Sequence, residues 1–215
     1  MPDKTDVRAQ LRDAILRGVY APRQRLIEAD LATEFGASRF TLRNTLIQLE
    51  AEGLIELTPN RGARVREISP TEAIEITEIR QSVEGLVAAR AAERVTDAQI
   101  TVLRQIGADM VEAIDGHELM RYSELNVALH ATVREIAEHA AADRVLEQLN
   151  GQMVRHQFRL FLVPGRPSTS LPEHLEIIEG VCTRDPARAR AAMEIHVGSV
   201  IATLKEFAEA VPVPL

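Results

Sequence analysis

Between Leu54 and Ile68 this chain stops reading as helix. Leu54-Ile-Glu-Leu-Thr and Ala63-Arg-Val-Arg-Glu-Ile each alternate apolar and polar residues, and Pro59-Asn60-Arg61-Gly62 lies between them. Two short alternating runs around such a turn predict a β-hairpin. Everything on either side has helical spacing. Ahead of the hairpin, Val7, Leu11 and Ile15 form a stripe in a helix over 5–18, closed by Gly18. After the turn and short extended link around Tyr20–Leu26, Leu31, Ala32 and Phe35 mark a second helix over 28–35, broken by Gly36. Ser38 then offers a capping hydroxyl to a third helix over 39–52, with Leu42, Leu46 and Leu49 inward and Gly53 ending it. Helix, helix, glycine-containing turn, helix and hairpin is the plan of a winged helix-turn-helix.

Beyond the hairpin, Ser69-Pro70-Thr71-Glu72 combines a cap, a proline at the first helical position and an acidic third position. From there only helical periodicity is found, predicting helices over 70–94, 97–114, 117–139, 142–163, 170–183 and 186–209. Asp185-Pro186 starts the last of these, and residues 164–170 are expected to be the longest loop. The expected organisation is therefore mainly α: a winged helix-turn-helix over 1–68 and an all-helical bundle over 69–215. A chain with no Trp and only 3% aromatic residues builds its core from Leu, Ile, Val and Ala, which suits helix-on-helix packing.

The formal net charge of −7 argues against a polyanionic partner until it is divided along the chain. Residues 1–68 carry 11 Lys/Arg against 10 Asp/Glu, leaving 14 against 22 for the rest. The first part is thus +1 and holds the basic clusters. Distant charge is screened over about 8 Å at physiological salt, so a local basic face can still attract DNA. One cysteine, Cys182, excludes an internal disulfide framework and points to a reducing compartment. No run approaches the ~20 apolar residues that span a bilayer, and no secretory signal is visible at Met1-Pro-Asp-Lys. The expected location is cytoplasmic, with no membrane partner.

The residues at the head of a recognition helix meet base edges in the major groove. Here they are Ser38, Arg39, Phe40, Thr41 and Arg43. Arg39 and Arg43 lie one helical turn apart, and Arg is the usual bidentate partner of guanine. Ser38 and Thr41 have hydroxyls for phosphate or base. The wing supplies Arg61, Arg64 and Arg66, with Gly62 at its tip allowing close backbone approach. Arginines on a three-helix pattern alone would read equally well as solvated surface charge; the hairpin shifts the reading to DNA.

The stretch from Leu26 through Ala37-Ser-Arg-Phe-Thr-Leu-Arg-Asn-Thr-Leu-Ile-Gln-Leu-Glu-Ala-Glu-Gly-Leu-Ile55, followed by Pro59-Asn-Arg-Gly-Ala-Arg-Val65, resembles the winged helix of the GntR family of regulators. The resemblance covers about residues 5–68. It implies that Ser38, Arg39, Thr41, Arg43 and Gly62 lie at the DNA. Two positions depart from the family: Phe40 stands where a small Thr or Ser is usual, and Asn44 replaces the usual Glu.

Six histidines fall in the second part, and three of them, His130, His174 and His196, have apolar helical surroundings. Asn126 precedes His130 by four residues and shares its helix face. Imidazoles from separate helices of a bundle can converge on one metal, although a single His on an apolar face is more often a hydrogen-bonded core residue than a metal ligand. Glu78-Ile-Arg80-Gln-Ser-Val-Glu84, Asn126-Val-Ala-Leu-His130, Glu173-His174-Leu-Glu-Ile-Ile and Ala191-Ala-Met-Glu-Ile-His196 together resemble the FCD domain, the helical module of the FadR-type branch of the GntR family. That resemblance implies a divalent metal, zinc or nickel, held by His130, His174 and His196 with Asn126 in the position where Asp is commonest. It also implies a small carboxylate effector beside the metal. An amide oxygen brings no negative charge, so metal affinity is expected to fall. Arg80 is a candidate carboxylate anchor, followed by Ser170, Arg155 and Arg159. His139 and His117 read as caps or surface groups and Cys182 as a core residue; His156 has no assigned role.

The reading these features favour is a metabolite-responsive regulator, a repressor, acting as a homodimer on an inverted repeat of double-stranded DNA. No catalytic residues are assigned. Two alternatives stand beside it. The first is the same regulator with a metal-free effector pocket. The second is a three-histidine metalloenzyme with Glu173 as base, which would leave the winged helix without purpose.

Overall fold

The structure is a computed structural model that describes residues 6–58, 62–161, 163 and 165–210, apart from the side chains of 154–161 and 210. The chain divides into two compact units. The first ends at Ser69 and also takes in Asn150–Val154; the second begins at Pro70 and holds the remainder.

In the first unit, α1 (Val7–Leu16), α2 (Glu28–Glu34) and α3 (Arg39–Ala51) enclose a core of Leu11, Leu31, Leu42, Leu46 and Leu49. Each of these leucines lies on the stripe its periodicity predicts. The Ser38 hydroxyl accepts the Thr41 N–H at 3.1 Å and starts α3. β2 (Ile55–Thr58) and β3 (Gly62–Val65) are the two arms expected of the hairpin. The sheet nevertheless has three strands, because Arg25–Leu26 forms β1 and pairs antiparallel with β3, giving the order β1-β3-β2. Two residues are too few to show alternation, so the sequence reads them as a link; Leu26, buried in the core, secures them.

The second unit consists of α4 (Pro70–Arg94), α5 (Asp97–Asp115), α6 (Leu119–Ala137), α7 (Ala140–Phe161), α8 (Arg166–Cys182) and α9 (Pro186–Ala210). Helix α4 runs against α9 and α6, while α8 packs on α9 and α5. Leu103, Met110, Leu129, Leu146, Ile177 and Met193 are fully buried among them. A reciprocal capping box, Thr96 with Gln99, starts α5. Gly180 lets α8 approach α9 closely: a Cβ there would stand 2.7 Å from the Ala189 backbone.

One boundary differs from the sequence expectation in a way that matters for the site. Residues 166–169 belong to α8 rather than to a loop ending at Ser170. Two prolines near Gly165 read as breakers. Pro167, however, occupies the first turn, where its missing N–H needs no partner, and only Pro172 lies inside the helix. His174 therefore sits in mid-helix rather than at a helix start.

Candidate functional site

Three helices deliver one histidine each to a common point. His130 comes from α6, His174 from α8 and His196 from α9, and their ligand atoms lie within 4.8 Å of one another. Ring centroids are 5.8 Å apart for His130–His174, 5.3 Å for His130–His196 and 4.3 Å for His174–His196. His174 is 1% exposed and His196 6%. Asn126 lies one turn before His130 on α6, and Tyr122 one turn earlier still, so the three form a stripe on that helix.

The outer nitrogen of every ring is occupied. His196 Nδ1 lies 2.9 Å from Glu173 Oε2, and His130 Nδ1 lies 3.1 Å from Glu84 Oε2. Burial alone would raise the Glu84 carboxyl. The Arg80 charge and the His130 bond outweigh it and hold the group well below the usual carboxylate range. Glu173 is likewise lowered: burial opposes ionisation, but bonds from His196 and Ser199 and the Arg166 charge prevail. Both carboxylates are therefore ionised acceptors, and each ring facing one donates its Nδ1–H.

His174 is oriented by a neutral chain. The Ser170 hydroxyl donates to the Pro167 carbonyl at 3.1 Å. Having spent its one proton, Ser170 Oγ must accept from the Tyr122 phenol, 2.8 Å away. The phenol oxygen then accepts the Nδ1–H of His174 at 2.9 Å. Burial raises the Tyr122 pKa to about 12, so the phenol stays protonated and fills both roles. Burial, reinforced by the His196, His130 and Arg166 charges, holds His174 well below its ordinary value. His196 is lowered too, by burial first, with Glu173 opposing.

Among the described residues, this polar shell leaves two buried atoms without a hydrogen-bond partner, His174 Nε2 and Asn126 Oδ1. A buried acceptor with no donor is costly and needs an explanation. Three imidazoles with occupied outer nitrogens and one amide oxygen form a donor set that fits a divalent transition ion better than magnesium or calcium.

Other predicted residues fall in different places. The Arg80 guanidinium bonds Glu84 at 2.7 and 2.9 Å with a side chain 12% exposed, so it reaches the cluster through Glu84 and His130. Ser170 is buried behind His174 and engaged with Tyr122. The side chains of Arg155, Arg159 and His156 lie outside the described residues. His139 accepts the Ala142 N–H at the head of α7, as a cap. Sequence reasoning missed Tyr122, Glu84, Ser199 and Arg166 as participants. Spacing offered a signal for two: Tyr122 repeats the Asn126–His130 interval, and Glu84 stands one turn after Arg80. Arg166, which bonds Ser199 at 2.8 Å and lies 3.5 Å from Glu173, was hidden in the expected loop.

At the head of α3, Ser38, Arg39, Thr41 and Arg43 are all exposed. Ser38 and Thr41 share a hydroxyl contact of 2.8 Å. The side chains of Arg39 and Arg43 have no ion pair or hydrogen bond among the described residues. Gly62 takes φ +82° with open space where a Cβ would be. Arg64 is paired across the strands with Glu56 at 2.7 Å. Arg61 lies outside the described residues.

Two family models match the chain. The family "Bacterial regulatory proteins, gntR family" matches residues 4–65, and the family "FCD domain" matches residues 75–199. The chain is 30% identical over 196 residues to the HTH-type transcriptional repressor RspR of Escherichia coli K12, covering 91% of this chain and 86% of that protein. It is 24% identical to a probable D-xylose utilization operon transcriptional repressor of Paenarthrobacter nicotinovorans, covering 92% of this chain and 88% of that one. Among solved structures, E. coli McbR/YncC superposes with a TM-score of 0.72 at 19% identity, over 96% of this chain and 99% of the other. A transcriptional regulator GntR from Rhodococcus gives 0.67 at 19%, over 94% and 97%. At these identities the structural likeness speaks for the fold alone.

Proposed function

The chain belongs to the GntR family of bacterial transcriptional regulators, with an FCD domain behind its DNA-binding winged helix, and from that premise we propose that it is a cytoplasmic, metabolite-responsive repressor. Its effector is a small organic acid, received beside a divalent zinc or nickel ion in the helical domain, and it acts as a homodimer on an inverted repeat. The observation that carries the sensing half is the pair of buried unpartnered atoms, His174 Nε2 and Asn126 Oδ1, beside histidines whose outer nitrogens are all engaged.

His130, His174 and His196 would hold the ion with Asn126. A bound divalent ion supplies the positive charge that a buried carboxylate requires. The chain's own residues do the rest. Glu84 and Glu173 keep two rings turned so that Nε2 faces inward, and Tyr122 with Ser170 does the same for His174. Arg80 and Arg166 balance the two carboxylates. In the DNA-binding half, the unpaired Arg39 and Arg43 on α3 and the open backbone at Gly62 support contact with an operator, to which Arg61 and Arg64 would add the wing's charge. Dimerisation follows from energetics: specific sites bind about 4–10 kcal/mol better than random DNA, more than one short helix supplies. Effector binding shifts the fraction of molecules able to span both half-sites. The relatives' repressor names favour repression over activation. Among the described residues no helix is long and apolar enough to cross a membrane.

The test is thermal unfolding against a panel of small organic acids, with and without a chelator. Ligand at 100 times its Kd adds about 2.7 kcal/mol. A shift produced by one acid and removed by the chelator supports the whole reading. A shift that survives complete metal removal retires the metal, and no shift with any acid retires the carboxylate effector.

A further inference from the structure

The recognition helix carries a side-chain pattern that its arginines alone do not explain. On α3 the inward positions are Leu42, Thr45, Leu46 and Leu49, all buried. At about 100° per residue the opposite pole falls on Phe40, Arg43, Asn44 and Ile47, spaced i, i+3, i+4 and i+7. Phe40 is 77% exposed and Ile47 51%. Arg43 and Asn44 are exposed, and neither side chain takes a hydrogen bond or ion pair among the described residues.

A single exposed apolar residue on a surface needs no explanation. This one stands on the first turn of a capped helix, diametrically outward, within one turn of an unpaired guanidinium and an unpaired amide. Each of these groups has a matching feature in the major groove. Guanine offers O6 and N7 to an arginine, adenine offers N6 and N7 to an amide, and the thymine 5-methyl is the apolar feature that a phenyl ring meets. An A·T pair displays the adenine edge and the thymine methyl together.

From this stripe we infer that Phe40 and Asn44 read A·T pairs next to the guanine contacted by Arg43, with Phe40 on a thymine methyl and Asn44 on adenine N6 and N7. The inference rests on the DNA-reading function above and adds the base specificity of this chain's own helix.

The test begins with full-length protein and selection from a random duplex library. In the selected site, each thymine is then replaced singly by deoxyuridine, which removes only the methyl, and each adenine by 7-deazaadenine, which removes only the N7 acceptor. Affinity is read by fluorescence anisotropy at fixed salt. Wild type should lose about fourfold at one thymine of each half-site and about tenfold at one adenine. Phe40→Ala should abolish the first penalty alone, and Asn44→Ala the second alone. Both side chains point away from the core, so an unchanged Tm confirms that each variant is folded. The inference is overturned if deoxyuridine has no effect at any position, or if the variants keep the wild-type penalties. Failure to enrich any sequence would overturn the DNA-reading function itself.

Discussion

The direction of the Tyr122 hydrogen-bond chain makes a prediction that separates a designed ligand from a buried core histidine. In Tyr122→Phe the phenyl ring keeps its packing, but the Nδ1–H of His174 loses its acceptor. Ser170 is unharmed, because its proton already goes to Pro167. One buried donor left unsatisfied costs about 1–3 kcal/mol. For a chain of this size, that lowers the midpoint by about 2–12 °C. His174 can escape the penalty by moving its proton to Nε2, but that nitrogen then faces His130 and His196 as a donor and no longer offers a lone pair. Losing an outer partner of this kind typically weakens metal binding 10–100-fold. Thermal unfolding in chelator reads the first effect, and calorimetric titration with zinc the second. Nitrogen NMR of the imidazoles reports the tautomer directly, with Nδ1–H expected for His174 in the wild type. Equal zinc affinity in Tyr122→Phe and wild type, with an unchanged tautomer, would refute the reasoning.

Three further outcomes follow from the same geometry. His174 and His196 have folded pKa values below their ordinary 6.5, so as pH falls the unfolded chain takes up protons first. Their contribution to stability is complete above about pH 6.5 and is lost as pH falls toward the folded values; the chelated protein should show a falling Tm between pH 7 and 5, and a flat profile would contradict the burial of the two rings. Arg80→Ala strands the Glu84 carboxylate, whose side chain is 6% exposed, and should cost about 3–5 kcal/mol in denaturant unfolding; a cost under about 1 kcal/mol would mean that water reaches Glu84. Arg43→Ala should abolish specific binding in a mobility-shift assay while leaving Tm unchanged, since the side chain is exposed and unpaired; operator affinity that survives would remove Arg43 from the interface.

What the sequence made legible follows from which forces are local. The apolar stripes of α1 and α3, the Ser38 cap and the arms of the wing are set within a few residues, and each stands where periodicity or capping chemistry predicts. The third strand was not legible, since Arg25–Leu26 exists only by pairing with Arg64 and Ala63 far along the chain. The same contrast runs through the site. The histidines could be singled out because each marks an otherwise apolar helix face. The roles of Arg80 and Ser170 could not: a guanidinium near a carboxylate one turn away and a hydroxyl near a helix start both look available until distances show them engaged. Arg166 was lost for a different reason, because two prolines disguised the first turns of α8 as a loop.

On the proposed function, the amide at position 126 would set how strongly metal and effector depend on one another. Among the described residues, the charged groups around the three histidines come in opposed couples, Glu84 with Arg80 and Glu173 with Arg166, the latter at 3.5 Å. Their charges cancel, and Asn126 adds none. A divalent ion held by this set would therefore find none of its charge offset by these residues, and an anion beside it would supply the compensation. On the proposed function, weak metal affinity and strong attraction for a carboxylate would be two sides of one charge balance, and by linkage each ligand would raise the affinity of the other by the same factor. Asn126→Asp changes that balance by one unit without altering the length of the side chain. Metal affinity should rise by about tenfold or more, affinity of the metal-loaded protein for an organic acid should fall, and the factor by which acid tightens metal should shrink. Zinc titration with and without the acid identified by thermal shift measures all three. If the substitution tightened zinc and left the coupling factor unchanged, the charge balance would not be what links the two ligands, and contact geometry at the site would have to account for it.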